Sequence, residues 1–356
     1  MKKTLIFTAA ILLTIVACTK VAPVEVLRNE ISFQVANSVQ TKAGTSPVKF
    51  TNTDFGAFSW HHAEDGTVTA FMVNEQVGQK DNVWKTLNST YYWPKTGSLN
   101  FVSYSPYMAT GGPVVSEKSI AFTGYTVSGE DLMYADKASG KTENEKVYDA
   151  NGVPTLFHHA LAKLSFKVKA NFLEFTADDN NKSKTTWAVT LQKATIKGLY
   201  NTGDLTLNIA DDDGTWETDG WKADATKTAK DLELVTAANG VALTTEAQDL
   251  YGAASFYVLP QTLAGKAQQL DLTIHIKTSL PNGNVLEEDY TKTLDIKDIS
   301  TLAAWGMNQN IIYTICIKPT SAFDPNNPDT PEDAVITFDP AQMDWVTVDA
   351  EAQIQL

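Results

Sequence analysis

Hydrophobic and polar residues alternate along most of this chain, and the dominant period is two rather than the 3.6 of an amphipathic helix. The clearest run is Ala162, Leu164, Phe166 and Val168 against Lys163, Ser165, Lys167 and Lys169. Successive side chains of a strand point to opposite faces, so this run predicts a strand with one buried and one wet face. Leu270, Leu272, Ile274 and Ile276 alternate in the same way with Asp271, Thr273, His275 and Lys277. Trp187, Val189 and Leu191 repeat the pattern, as do Leu205, Leu207 and Ile209. Nearer the start, Ile31, Phe33 and Val35 face one way with Ser32 and Gln34 opposite, and residues 98–104 form a strand stopped by Pro106. Turn signals separate these runs at Gly111-Gly112-Pro113, Asn151-Gly152, Asp213-Gly214 and Pro281-Asn282-Gly283. Only residues 244–251 and 300–305 suit a short helix. Many short strands joined by polar turns predict an all-β chain of the antiparallel sandwich class.

The length of 356 residues suits two domains. A boundary is expected near Asn151-Gly152-Val153-Pro154, ahead of the strong strand at Ala162. The first part, 44–155, is rich in aromatics (Trp60, Trp84, Tyr91, Tyr92, Trp93, Phe101, Tyr104), and the second, 156–318, has the more regular strands. Residues 319–333 hold Pro319, Pro325, Pro328 and Pro331 among acids, a stiff solvated connector without its own core. Beyond it, residues 334–356 carry two strand-like pieces, one with Val335, Ile336 and Phe338, the other with Trp345, Val346 and Val348. Such an appendage can fold back as the last strands of its own domain or swing out to another molecule.

Residues 1–17 read as a signal segment: Lys2 and Lys3 precede an apolar stretch, 5–16, that is too short to span a bilayer. Ile15-Val16-Ala17-Cys18 resembles a bacterial lipobox, with Ile15 where leucine is usual, which makes Cys18 the expected lipidation point. Several acyl chains on Cys18, palmitate among them, would hold the protein firmly to a membrane. A plain secretory signal is the alternative. The remaining cysteine, Cys316, sits in the strand-like run 310–317 and reads as a small buried hydrophobe, so no intramolecular disulfide is expected with Cys18 lipidated. Hydrophobic residues make up 43% of the chain and charged residues 20%, as in globular proteins. A formal charge of −14 would repel phosphates, which excludes nucleic acid as a partner.

Candidate chemistry is sparse. His61-His62 and His158-His159 invite a metal reading, but neighbours on a strand point to opposite faces, and neither Cys-x-x-Cys nor His-Glu-x-x-His occurs; a turn at His61-His62 and a strand start at His158-His159 are expected instead. Asp211-Asp212-Asp213-Gly214 resembles a calcium loop, as does Asp178-Asp179-Asn180-Asn181, yet Ile209 stands where the EF-hand template needs an acid; polar turns are expected, with a loose surface calcium site as the alternative. There is no Gly-x-Ser-x-Gly elbow, P-loop or dinucleotide fingerprint. No catalytic residue, metal site or cofactor is therefore assigned, and no enzyme is expected. The aromatics between Trp84 and Tyr104 suit a core; alternatively they are the sugar-stacking surface of a monomeric glycan-binding lipoprotein.

Three stretches together resemble the fimbrillin-like proteins of Bacteroidetes, the subunits of lipoprotein-derived pili. They are the lipobox followed by Glu30-Ile31-Ser32-Phe33 and Thr41-Lys42-Ala43; Tyr91-Tyr92-Trp93-Pro94 leading into 99–106; and Leu156-Phe157-His158-His159-Ala160-Leu161-Ala162-Lys163-Leu164. Ile336-Thr337-Phe338 with Trp345 is similar to the family's C-terminal segment. The resemblance implies two tandem transthyretin-like antiparallel β-sandwich domains with a C-terminal strand appendage, and export as a lipoprotein to the cell outer membrane and the pilus. It also implies that a protease removes the lipidated leader, residues 18–43, with its first strand (Ile31, Phe33, Val35), and that a strand from another fimbrillin-like subunit fills the groove. Val335, Ile336, Phe338, Trp345, Val346 and Val348 are the candidate donor residues. Host or bacterial surface ligands are further implied partners. Burying Ile31, Phe33 and Val35 is worth roughly 5–8 kcal/mol at about 1.5–3 kcal/mol each, against about 5–15 kcal/mol for a whole domain. The family's cut usually follows an arginine after the first strand. Here the sole arginine, Arg28, precedes the strand, and Lys42 follows it. Cutting at Arg28 frees the membrane anchor alone, cutting at Lys42 frees the groove, and no cut leaves a membrane-held anchor or accessory subunit.

Overall fold

The computed structural model describes residues 29–41, 44–147, 151–170, 186–209, 216–235, 237–250, 256–263, 267–280, 283–300, 302–318 and 335–342, of which 38–41, 44–49, 318 and 335–342 are described by their backbone alone. The first strands are β1 (Phe33–Thr41), β2 (Gly44–Lys49), β3 (Asp54–His62), β4 (Val68–Lys80), β5 (Val83–Thr86) and β6 (Ser98–Ser105). Then come β7 (Val114–Ser116), β8 (Ser119–Thr126), β9 (Met133–Ala135), β10 (Ala138–Lys141), β11 (Glu145–Lys146), β12 (Asn151–His159) and β13 (Ala162–Ala170). They are followed by β14 (Thr186–Lys197), β15 (Thr202–Asn208), β16 (Lys222–Ala223), β17 (Leu232–Glu233), β18 (Val241–Ala242), β19 (Gln248–Asp249), β20 (Phe256–Val258) and β21 (Gln261–Thr262). The last are β22 (Gln269–Ser279), β23 (Val285–Asp295), α1 (Ile296–Ile299), β24 (Ala304–Trp305), β25 (Asn310–Lys318) and β26 (Val335–Gln342).

The protein is all-β, and the alternating runs behave as their period requires. In β13 every second residue from Ala162 to Ala170 is buried, and in β22 Leu270, Leu272, Ile274 and Ile276 all enter the core. The helical expectations fail. Residues 244–251 hold β19, residues 304–305 are β24, and the one helix among the described residues is the four-residue α1, which buries Ile296 and Ile299 on one face. Residues three apart share a helix face, so two isoleucines at that spacing close the end of the core in a single turn.

The pairing is mainly antiparallel, but β1 runs parallel to β12 and β13 parallel to β25. Neither exception follows from periodicity, because a period of two is the same in both ladders. The first sheet has the order β11-β12-β9-β6-β3-β4-β5-β1-β2, with β1 also bonded to β12. Following the pairs β12-β9-β6-β3-β4-β5-β1 and back to β12 traces a closed ring, in which β1 is the last stave. A core of Ile31, Phe33, Phe55, Phe101, Phe157 and their neighbours belongs to this sheet.

The second half forms a sheet β19-β13-β25-β26 and a sheet β17-β14-β22-β23, which share a core from Leu164 and Phe166 to Leu272, Ile274 and Ile315. A fourth sheet, β16-β15-β8-β7, takes strands from both sides of residue 155, and β12 runs through that position without a break. A third core cluster likewise mixes Tyr104 and Phe122 with Leu205 and Leu259. The C-terminal β26 lies antiparallel on β25 of its own chain, with Ile315 opposite Phe338 and Ile317 opposite Ile336.

Candidate functional site

The stave β1 and the two residues ahead of it are apolar on one side and polar on the other, and from Ile31 to Asn37 both sides are taken into the protein. Ile31 and Phe33 are each 1% exposed, Ala36 is buried and Val35 half-buried. The Phe33 ring meets Phe55 edge-on at 5.4 Å and Phe101 at 5.9 Å. Ser32 and Gln34 do not face water; they are buried against residues 144–147 and 151–153. A buried amide is tolerated only when it is hydrogen-bonded. The Gln34 amide donates to the carbonyls of Glu145 (2.8 Å) and Gly152 (2.9 Å), and its oxygen accepts from the Val147 amide (2.7 Å). Ser32 donates through Oγ to the Asn151 carbonyl at 2.7 Å, and its own carbonyl accepts from Val153 N at 2.7 Å.

The other edge of this segment is held as well. Phe33 pairs with Trp84 of β5, and β2 continues the antiparallel ladder from Ala36↔Lys49 to Thr41↔Gly44. Ile31 N donates to the Tyr91 carbonyl and Trp93 N to the Asn29 carbonyl. Asn144 ties the pieces together: its amide donates to the Glu30 carbonyl at 2.9 Å, and its oxygen accepts from Trp93 Nε1 at 3.1 Å. The Tyr91 hydroxyl donates to Glu75 at 2.8 Å; burial, and then that bond, hold the phenol above its usual pKa. The arrangement can therefore do one mechanical thing. Taking β1 away would leave β12 and β5 as unpaired edges beside an apolar slot walled by Phe55, Phe101 and Phe157, which an extended chain segment can refill.

Two residues that serve this seat are inconspicuous in the sequence. Gly152 was expected to mark a turn with Asn151; instead it lies inside β12, where a Cβ would stand 2.7 Å from the Phe33 backbone. Glycine is needed there for close approach rather than for turning. Gln34 looks like an ordinary outward residue of an alternating strand. Its only sequence signal is a neutral amide, not a charge, on the polar side.

The remaining expected residues are placed as follows. Cys18, Arg28 and Lys42 lie outside the described residues, as do Trp345, Val346 and Val348 and the acidic runs at 178–181 and 211–213. Val335, Ile336 and Phe338 are in β26. Cys316 is buried in β25. The histidine pairs do not converge. They close strands β3 and β12 rather than a turn and a strand start, and each ring has its own partner. His61 meets the Thr96 carbonyl, His62 lies 2.8 Å from Glu117, His158 2.7 Å from Asp136, and the buried His159 2.6 Å from the buried Asp131. Trp84 packs on Phe50 and Phe55 and Trp93 on Phe101, both half-buried, and Tyr104 is fully buried, while Tyr92 is exposed.

Residues 41–336 match the family model described as fimbrillin-like. Among solved structures, a fimbrial protein from Bacteroides vulgatus superposes with a TM-score of 0.56 at 16% identity, over 89% of this chain and 99% of that one. This is a likeness of fold. A protein from Bacteroides uniformis provisionally assigned to cell adhesion matches at TM-score 0.44 and 17% identity, over 90% of this chain and 98% of that one. The fimbrial anchor protein Mfa2 of Porphyromonas gingivalis matches at 0.27 and 11%, over 90% and 100%. Both superpose too loosely to carry an argument. No curated protein matches the sequence. The family match covers most of the chain and begins at the last residue of β1, and on that ground the chain belongs to the fimbrillin-like family.

Proposed function

We propose that this chain is a fimbrial subunit of shaft, anchor or accessory type that assembles by strand exchange gated by proteolysis. In this reading Cys18 carries lipid and first holds the subunit at the outer membrane of the cell surface. A cut at Lys42 then separates β1 from β2, the leader leaves, and the seat between β12 and β5 accepts a strand from a neighbouring subunit. The observation that carries the reading is the position of β1 as the closing stave of the ring, buried on both faces at Phe33, Gln34, Ala36 and Asn37 and joined to β12 by parallel pairing. The loss of Ile31 and Phe33 from the core is worth about 3–6 kcal/mol, comparable with the total stability of a domain. Vacancy of the seat is thus a strong drive to bind a donor.

The donor segment in this reading is the C-terminal stretch with Val335, Ile336, Phe338, Trp345, Val346 and Val348. Val335–Gln342 occupies a place on β25 of its own chain, so it must leave β25 or extend beyond it to serve a neighbour. The tandem-domain division at 155/156 and the connector at 319–333 belong to the same proposal. Catalysis is not part of it, and the inward packing of Trp84 and Trp93 weighs against the glycan-binding alternative.

The test is the N-terminal sequence and size of the protein taken from its native cell surface. A start at Ala43 with SDS-resistant ladders supports the gated subunit. A start at Asn29 would show that Arg28 is cut and the strand retained. Intact lipidated Cys18 with monomers alone would remove the shaft role and leave the anchor.

A further inference from the structure

The seat of β1 is selective on its polar side. Three backbone groups converge on the buried Gln34 side chain. The carbonyls of Glu145 and Gly152 accept from Nε2 at 2.8 and 2.9 Å, and the Val147 amide donates to Oε1 at 2.7 Å. Whatever replaces Gln34 there must offer two donors and one acceptor from a single side chain. A carboxamide does so. A carboxylate has no hydrogen to donate, an ammonium has no acceptor, and a hydroxyl has one hydrogen for two carbonyls. A misfit leaves buried polar groups unpaired, which costs more than the bonds themselves contribute.

The neighbouring positions extend this code. Ile31, Phe33 and Val35 belong to the core side. Two residues ahead of Gln34, Ser32 Oγ donates to the Asn151 carbonyl, so that position also needs a donor. From Ile31 to Val35 the seat therefore asks for apolar, donor, apolar, carboxamide, apolar. Residues 334–356 contain three glutamines, Gln342, Gln353 and Gln355, and no asparagine. Setting Gln342 in place of Gln34 puts Asp339 at the core position of Ile31. Setting Gln353 there puts the carboxylate of Glu351 against the Asn151 carbonyl. Setting Gln355 there gives Ala352, Gln353, Ile354, Gln355 and Leu356, which meets the code at every position. The runs Ile336-Thr337-Phe338 and Val346-Thr347-Val348 match Ile31-Ser32-Phe33, but each is followed by an aspartate, Asp339 or Asp349, where the carboxamide belongs.

We propose that the seat reads a carboxamide, and that its occupant after exchange is residues 352–356 of a second copy of this chain, parallel to β12 with Gln355 in the place of Gln34. This rests on the strand-exchange reading and adds to it the seated residues and their register. A one-residue slip would turn Ile354 and Leu356 to the polar side and Gln355 into the core, so the carboxamide fixes the register as well as the partner. β26 ends at Gln342 on β25 of its own chain. Residues 343–356 follow it and reach about 45 Å when extended. The donor therefore extends beyond β26 to the neighbour, and β26 keeps its place.

The experiment uses the full chain carrying Cys18→Ser, with the recognition site of a sequence-specific protease in place of residues 41–43. The chain is cut, and both SDS-resistant ladders and the release of labelled subunit from them are followed. The cut parent should form ladders. Gln355→Glu should release subunits about tenfold faster or more at pH 7, since a carboxylate then faces two carbonyls. Part of that loss should be recovered near pH 4, where the protonated acid regains one donor. Gln355→Ser should also be impaired. Gln353→Ser, which supplies the residue β1 has at that position, and Gln342→Glu should both be tolerated. Before the cut every variant should unfold at the temperature of the parent, because β1 still fills the seat. Ladders indifferent to Gln355→Glu, or harmed more by Gln353→Ser or Gln342→Glu, overturn the carboxamide assignment and leave strand exchange standing. A cut parent that forms no ladder overturns strand exchange itself, and this assignment with it.

Discussion

Replacing Phe33 by alanine probes whether β1 really closes the first core. Phe33 is 1% exposed and lies edge-on to both Phe55 and Phe101. Removing a buried phenylalanine ring typically costs about 3–5 kcal/mol, transfer and cavity terms together. Two lost edge-to-face contacts, at about 0.5–1.5 kcal/mol each, place this site in the upper part of that range. Val35, on the same side but half-buried, should lose only about 1 kcal/mol on Val35→Ala at roughly 0.8 kcal/mol per fully buried methylene. Urea unfolding followed by tryptophan fluorescence resolves the two, because Trp84 sits against Phe50 and Phe55 in the same core. Equal losses for the two variants, or a loss below about 1 kcal/mol for Phe33→Ala, would refute the closing-stave argument. A strand worth so little could not act as a gate.

Three other outcomes are expected. Gln34→Leu keeps the volume but strips the Glu145 and Gly152 carbonyls and the Val147 amide of their partner; a loss of about 1–3 kcal/mol should appear, with faster hydrogen exchange at Val147 N. Gly152→Ala forces a Cβ to within 2.7 Å of the Phe33 backbone, and should loosen β1 by roughly 1–3 kcal/mol, seen as quicker tryptic release of the residues ahead of Gly44. Glu117 tests the pH dependence. Burial pushes its carboxyl up, but hydrogen bonds from Asn100 and His62 and the charge of Lys137 outweigh this and hold it below the ordinary value of 4.5. A depressed carboxylate stabilises the fold above its unfolded pKa and loses that contribution as pH falls through the folded one. Wild type should therefore exceed Glu117→Gln in thermal stability at pH 7, and the two should converge as the pH drops well below 4.5.

The strands themselves were legible because their signal is local. Ala162 to Val168 and Leu270 to Ile276 alternate over consecutive residues, and a period of two needs no knowledge of what lies opposite. The same local reading misplaced His61 and His62 in a turn and put helices at 244–251 and 300–305. Each error concerned a short stretch whose propensity was too weak to withstand the demands of a neighbouring strand.

The candidate site was only half visible. Ile31 and Phe33 announced an apolar first strand, but their sequence could not show that Ser32 and Gln34 would be buried too. That burial depends on Glu145, Val147, Asn151 and Gly152, more than a hundred positions away, offering carbonyls and an amide. Gly152 carries the same lesson, since its missing side chain matters only because the Phe33 backbone comes to lie against it.

By itself, then, the sequence determined the all-β class, the faces of the regular strands, the acidic surface and the family to which the chain belongs. These follow from side-chain period and from short motifs, which act within a few residues. The tertiary structure alone decided that β1 lies parallel to β12, that it closes a ring, and that its polar side is sealed as tightly as its apolar one. Such pairings are set by backbone hydrogen bonds between distant segments. Backbone groups are alike at every residue, so their choice of partner leaves no mark in the pattern of side chains.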